Sequence, residues 1–314
     1  MNFKAEVLEK KIINKPKYPR KSEAIYNTEA GRIQKRIILD KAAKILFLLS
    51  TLFALLVLAI LIFRIGHQSV GWLSLKFLKG NLSIFPEKAG IYGVIIGSIR
   101  LMAVVAPVTI ILGVATAIYL EEYASKGKLQ AFINTNISNL AGVPSVIFGL
   151  LGLTVFGRLL NLGSSILAGG LTMSLLVLPI VVVASQEAIR AVPGFLRDAS
   201  YAMGASKWAT IRTVVLPVAL PGILTGSILA LSRAIGETAP LVVLGIPTLI
   251  LKIPTSIMDD FTALPIQIYY WTLDTVLTAE YANLAAATII VLLVMLFLMN
   301  STAIFIRNKF QKRY

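Results

Sequence analysis

DASYAMGASKWATIRTVVLP, residues 198–217, is a patterned polar stretch in a 314-residue chain that is 57% hydrophobic and 14% charged. Just upstream, residues 186–190 continue an apolar helix until Pro193-Gly194 interrupts it. A short helix is expected over 195–203. Gly204 stands where a helix end commonly takes the left-handed conformation. Ser206 can cap a further helix over 207–216, which Pro217 is expected to end. Segment 185–217 thus reads as helix, sharp turn and helix between two apolar runs. A rigid hairpin of this kind suits a docking knob that passes movement into the helices at its ends. A plain amphipathic connector has the same pattern.

The flanking runs set the class. Soluble domains carry about 25% charged residues, and this chain has far fewer, with a mean hydropathy of +0.81. About 20 apolar helical residues cross a bilayer. Six such runs are present, at 45–63, 92–120, 132–156, 166–184, 218–245 and 284–306. The second has Arg100 near its start, and the fifth holds Arg233 and Glu237. Pro240, Pro247 and Pro254 make the far end of the fifth a candidate broken or re-entrant segment. The expected fold class is an all-α membrane protein with six transmembrane helices.

The charges orient it. The chain carries 30 Lys+Arg against 15 Asp+Glu, a net charge of +15. The first 44 residues, the segments 121–130 and 185–217, and the tail from 307 together hold 22 of the 30 basic residues. These are alternate regions, so both termini are expected in the cytoplasm. The last loop on the other side, 251–283, holds Lys252 against Asp259, Asp260, Asp274 and Glu280. The first external loop, with Arg64, Lys76, Lys79 and Lys88, runs against the trend. The basic surplus therefore faces anionic lipid headgroups of the bilayer, and nucleic acid is not an expected partner. The long basic segment ahead of residue 45 also argues against a cleavable signal peptide.

Several chemistries are excluded. There is no cysteine and one histidine, His67, so thiolate and multi-histidine metal sites are ruled out. No cofactor is implied. No G-x4-G-K-[ST] phosphate loop exists in the chain, so a nucleotide site of that type is not expected in it. A membrane enzyme lacks convergent acid–base groups here, and a scaffold would not need charges buried in a span.

The charges in the fifth run are Arg233 and Glu237, within Ser232-Arg233-Ala234-Ile235-Gly236-Glu237-Thr238-Ala239-Pro240. An Arg near mid-membrane costs roughly 2.5–3.5 kcal/mol on insertion scales. Glu237, four residues on, would share its helical face and neutralise it toward the bundle interior. The pair is either a structural salt bridge or a guanidinium fork offered to an oxyanion in transit. Thr238 and Pro240 would shape the same pathway. Trp72, Tyr92, Tyr269, Tyr270 and Trp271 read as an interfacial aromatic belt. Gly93 with Gly97, and Gly222 with Gly226, have the spacing of close helix pairs.

The opening stretch resembles the cytoplasmic E-A-A-x3-G-x9-I-x-L-P loop of binding-protein-dependent ABC importer permeases. Asp198-Ala199-Ser200, Gly204, Val214, Leu216 and Pro217 fall on its positions, with Asp, Ser and Val replacing Glu, Ala and Ile. The run from Arg233 to Pro240 resembles the signature of phosphate importers, and more narrowly of their PstA-type permeases. The stretches at 142–150, 263–271 and 119–123 agree with it. The resemblance covers about residues 90–306 and implies a MetI-like ABC permease fold in the plasma (inner) membrane. It implies that Asp198, Ala199, Gly204, Leu216 and Pro217 form the ATPase-coupling loop, and that Arg233, Glu237, Thr238 and Pro240 line the substrate pathway. It further implies inorganic phosphate as cargo, a PstC-type companion permease, a PstB-type ATPase dimer and a PstS-type phosphate-binding protein. The companion permease, or a permease for sulfate or molybdate, is the alternative. The expected layout is a basic tail over 1–44, a first helix at 45–63, the permease domain at 90–306 with its loop at 185–217, and a second tail at 307–314.

Overall fold

A computed structural model describes residues 20–247, 249–250 and 252–310, with side chains over 36–309 of these. Residues 1–19 and 311–314 of the two expected tails lie outside the described residues. Among the described residues the regular structure is helical, apart from an isolated antiparallel bridge between Ser165 and Asp260. The chain divides into two compact units, Met1–Arg64 and Ile65–Tyr314.

The described residues of the first unit are helical. Helix α1 runs Arg20–Ser69, and its part from Arg36 is long and apolar enough to cross a membrane. Leu46, Phe53, Leu56 and Phe63 on it are all exposed. Such a surface is stable only against lipid tails or another apolar helix.

In the second unit, α2 (Leu75–Lys79) leads into α3 (Tyr92–Ile118), which continues as a π-turn over Tyr119–Tyr123. Helices α4 (Lys128–Leu140) and α5 (Ser145–Leu151) follow, and a π-turn extends α5 through Gly152–Leu159. Then come α6 (Ile166–Arg190), α7 (Gly194–Ala202) and α8 (Lys207–Thr210). A third π-turn, Ile211–Val215, joins α8 to α9 (Leu216–Ala234). Helices α10 (Ala239–Val243), α11 (Leu264–Asp274) and α12 (Glu280–Phe310) complete the unit.

Two expected spans are not continuous. The run at 132–156 bends by 103° between α4 and α5, so five helices are spans by themselves and six only if that bent pair counts as one. Pro144 is the cause, with Gly142 beside it. Proline has no N–H and pushes the preceding residue out of the helical region. The fifth run also stops early, at Ala234, and restarts at Ala239 as a separate short helix. Pro240 therefore begins a helix and does not kink one, which suits a residue lacking an N–H.

The core is organised on α6, whose buried side includes Met173, Val177, Val181 and Ile189. It packs against α3 and α9 through small residues. A side chain at Gly226 would collide with Ala184, and one at Gly170 with Val104. Gly222 and Gly226 thus behave as the close pair their spacing suggested. Of the other pair only Gly97 is tight, against the Thr262 carbonyl, while Gly93 faces open space. Trp271 is not in an aromatic belt but buried, 6.2 Å from the Phe77 ring.

Candidate functional site

Two regions carry the expected functional residues, and they lie on opposite parts of α9. The first is the loop from Arg190 to Leu216. Helix α7 ends in a Schellman arrangement: the Gly204 N–H donates to the Tyr201 carbonyl (2.9 Å) and the Ala205 N–H to that of Ser200 (3.2 Å). Gly204 takes φ +82°, the left-handed conformation that glycine adopts without penalty. Ser206 caps α8, accepting from the Ala209 N–H. The Ser200 and Thr210 hydroxyls bond across the turn at 2.9 Å. Asp198, Ala199 and Gly204 are exposed, Met203 is 88% exposed, and Phe195 and Trp208 are exposed as well.

One expectation here is corrected. Pro217 does not end the helix, because Lys207–Ala234 is a continuous span. The π-turn just before it leaves room for a ring that would clash with the carbonyl four residues back. Leu216 and Pro217 are half-buried, and Leu216 packs on the cluster of Ala117, Ile189 and Val215. The loop's second arm is therefore continuous with α9.

The second region is the break after α9. The Gly236 and Glu237 N–H groups close tight turns onto the carbonyls of Arg233 (3.2 Å) and Ala234 (3.1 Å). Arg233 Nε lies 3.4 Å from Glu237 Oε1. No other hydrogen bond or ion pair of the guanidinium exists among the described residues. The Arg233 side chain is 61% exposed and that of Glu237 19% exposed. The helical spacing suggested that the pair faces the bundle interior; Glu237 is largely enclosed there, but Arg233 is turned outward. Helix α9 spends its buried face, Ala219, Ile223, Ser227, Ala230 and Ala234, on its neighbours. Arg233 is one residue round from that face. Ser232 bonds to Asn300 of α12, which fixes the rotation of this end of the helix. Glu237 borders a small crevice with Ser98, Met102, Ala263 and Pro265. Thr238 leads α10, with its carbonyl accepting from the Leu241 and Val242 N–H groups. Pro240 is buried against Gly149, which joins the break to α5.

Close in sequence is a cavity of about 980 Å³ bordered by Pro247, Lys252, Thr255, Asp259 and Asp260. Main-chain carbonyls of Asp259 and Ile257 accept the Ile166 and Leu167 N–H groups at 3.1 and 2.9 Å, so this loop caps α6. Asp259 organises the turn. Its Oδ2 accepts from the Ser256 N–H (2.8 Å), the Thr255 N–H (2.7 Å) and the Thr255 hydroxyl (3.0 Å). The Ser256 N–H foremost, then the Thr255 donors, hold the carboxyl below its ordinary range. A depressed carboxyl stabilises the turn above its unfolded pKa and loses that effect as pH falls through the folded value. Proteolysis of the 255–260 turn is therefore expected to accelerate only in acid, and Asp259→Ala to remove that pH dependence. Among the described residues no group of three or more His, Cys, Asp or Glu is placed to hold a metal.

Sequence reasoning missed the acidic residues that grip the loop. Glu121 and Glu122, at the end of α3, pair with Arg190 and Arg197. The available signal was two adjacent acids in an otherwise basic set of loops.

Comparison with known proteins places the chain. Residues 109–312 match the family described as "Binding-protein-dependent transport system inner membrane component". The "Probable ABC transporter permease protein YqgI" of Bacillus subtilis is 36% identical over 206 residues, 66% of this chain and 70% of that protein. The "Phosphate transport system permease protein PstA 1" of Mycobacterium tuberculosis (strain H37Rv) is 35% identical over 67% of this chain and 69% of its own. The PstA of Yersinia pestis is 30% identical over 90% of this chain and 93% of its own. Among solved structures, a bacterial ABC transporter involved in alginate import aligns with a TM-score of 0.57 at 17% identity, over 83% of this chain and 96% of that one. The MetNI methionine transporter aligns at 0.56 and 16% identity, over 71% of this chain and 95% of that one. These two establish a shared fold.

Proposed function

This chain belongs to the binding-protein-dependent transport system inner membrane components, and on that premise we propose that it is the PstA-type permease subunit of an ATP-driven importer of inorganic phosphate. The observation that carries the reading is Arg233, a guanidinium at a break in a membrane-spanning helix with one long contact to Glu237. Arginine presents paired donors that match two oxygens of a tetrahedral oxyanion. Glu237 keeps the cation neutralised when no anion is present and competes with the anion for it, so binding stays weak enough for release. The exposed face holding Arg233 is completed by a companion PstC-type permease, which supplies the other wall of the pathway. Thr238 and Pro240 set the geometry of the break.

The chain has no nucleotide site of its own, and a separate ATPase supplies the energy. In this reading a PstB-type dimer receives the exposed loop around Asp198, Ala199 and Gly204. Leu216 and Pro217 pass its movement into α9, at whose far end Arg233 lies. A PstS-type binding protein delivers phosphate to the outer face. Both termini lie in the cytoplasm, the basic tails sit against anionic headgroups, and the membrane is the plasma membrane.

The test is co-reconstitution of the permease pair, ATPase and binding protein in lipid vesicles. Labelled phosphate is expected to accumulate with ATP and the binding protein present, and not without either. Sulfate or molybdate uptake at equal or higher rates would make the cargo another oxyanion. No substrate-dependent stimulation of ATP hydrolysis would end the transport reading.

A further inference from the structure

The last turn of α3 and the loop after α6 are joined by charge. Glu122 Oε1 accepts from Arg197 Nε at 3.1 Å and from Arg197 Nη2 at 2.9 Å. The same guanidinium donates to the Ile189 carbonyl (3.0 Å) and the Val192 carbonyl (2.7 Å). One side chain of α7 is thereby tied to the end of α6 and to the exit of α3. The Glu122 side chain is only 7% exposed, so water cannot easily replace its partner. Beside it, Glu121 takes Arg190 at 2.7 Å and accepts from Gln186 at 3.0 Å, while Lys207 of α8 lies 5.0 Å from the Tyr123 ring. Three consecutive residues, Glu121, Glu122 and Tyr123, thus hold α6, α7 and α8.

We infer that Glu122 and Arg197 are positioning residues that make the exposed loop and the inner end of α3 one rigid body. The covalent connections of the loop lead only to α6 and α9. Without this clasp, a push on α7 would have no direct polar link to α3 and would reach it only through α6, α9 and apolar packing. With it, the same push reaches α3, the helix whose Ser98 and Met102 border Glu237 at the other end. The clasp is partly dehydrated and charge-assisted, which favours a stiff link over a sliding one. The inference rests on the loop being the point where the ATPase acts.

The chain contains no cysteine, so with the partner subunits made cysteine-free, Ser125→Cys and Ala202→Cys provide a spin-label pair across the clasp in the assembled complex. With Glu122 intact, the distance distribution is expected to be the same in the nucleotide-free and ATP-bound complex. In Glu122→Gln, which keeps the shape and removes the charge, the distribution should broaden. Substrate carried per ATP by Glu122→Gln, without the labels, should fall by about tenfold, the size of one charge-assisted bond weakened. Glu122→Asp, which keeps the charge, should recover part of the ratio. A purely structural role would lower the amount of complex but leave the ratio per complex unchanged. A distribution that shifts with ATP while Glu122 is intact overturns the inference, as does a normal distribution or a normal ratio in Glu122→Gln. The distances are read without any cargo, so an error about phosphate would appear only in the uptake of the unmodified complex.

Discussion

Arg233→Gln is expected to abolish ATP-driven phosphate uptake while the complex still assembles. Arg233 makes one contact of 3.4 Å within the chain and packs no core, so its loss leaves the bundle intact. The substituted amide retains a donor but neither the charge nor the fork. Each hydrogen bond lost to a charged group costs roughly 1.5–3 kcal/mol, which is about tenfold to 150-fold in an equilibrium per bond. The loss should fall on turnover as well as on apparent affinity, because Glu237 is left as an uncompensated negative charge beside the path of an anion. Arg233→Lys should be intermediate, keeping the charge without the bidentate geometry. Uptake within about twofold of the parent, a difference of only about 0.4 kcal/mol, would remove Arg233 from the pathway.

The second large effect is expected at Gly204. Gly204→Val should reduce copurification of the ATPase by about tenfold or more, with the permease itself still folded in the membrane. The space around Gly204 is open, and a Cβ there meets nothing within 4 Å, so the effect is not a clash inside the chain. The cost comes from φ +82°, which an L-residue occupies at about 1–2 kcal/mol and a β-branched one at more. Relief of that strain would unwind the α7 end and move Met203, the exposed apolar residue next to it. Gly204→Asn should be tolerated, since asparagine enters this conformation readily. Equal loss in both variants would mean that the side chain itself is rejected by the partner. No loss in either would sink the docking role.

Much of this architecture is legible in the residues because each feature depends on local chemistry. A run of apolar residues with no charge must be helical in lipid, where no water satisfies the backbone. A glycine after a short helix can take the left-handed conformation that ends it, and a serine two residues on can cap the next helix, so the turn at Gly204 follows. Gly222 and Gly226 meet Ala188 and Ala184 as their spacing suggested. Other features depend on partners distant in the chain. Pro217 looked like a helix end because proline usually is one, yet a π-turn ahead of it keeps α8 and α9 continuous. Trp271 looked interfacial, and is buried because α2 brings Phe77 against it.

The sequence by itself determined the class, the apolar runs, the lack of a G-x4-G-K-[ST] motif and the two polar motifs at 198–217 and 232–240. Those follow from composition and spacing, which act through the bilayer and through backbone conformation within a few residues. Only the tertiary structure decided where the runs break, that Arg233 faces out of its own bundle, and that Glu122 reaches Arg197 from 75 residues away. A helix can bury only one face at a time, and α9 gives that face to α6 and α12. Which side is left for the pathway is a property of packing, and no local pattern encodes it.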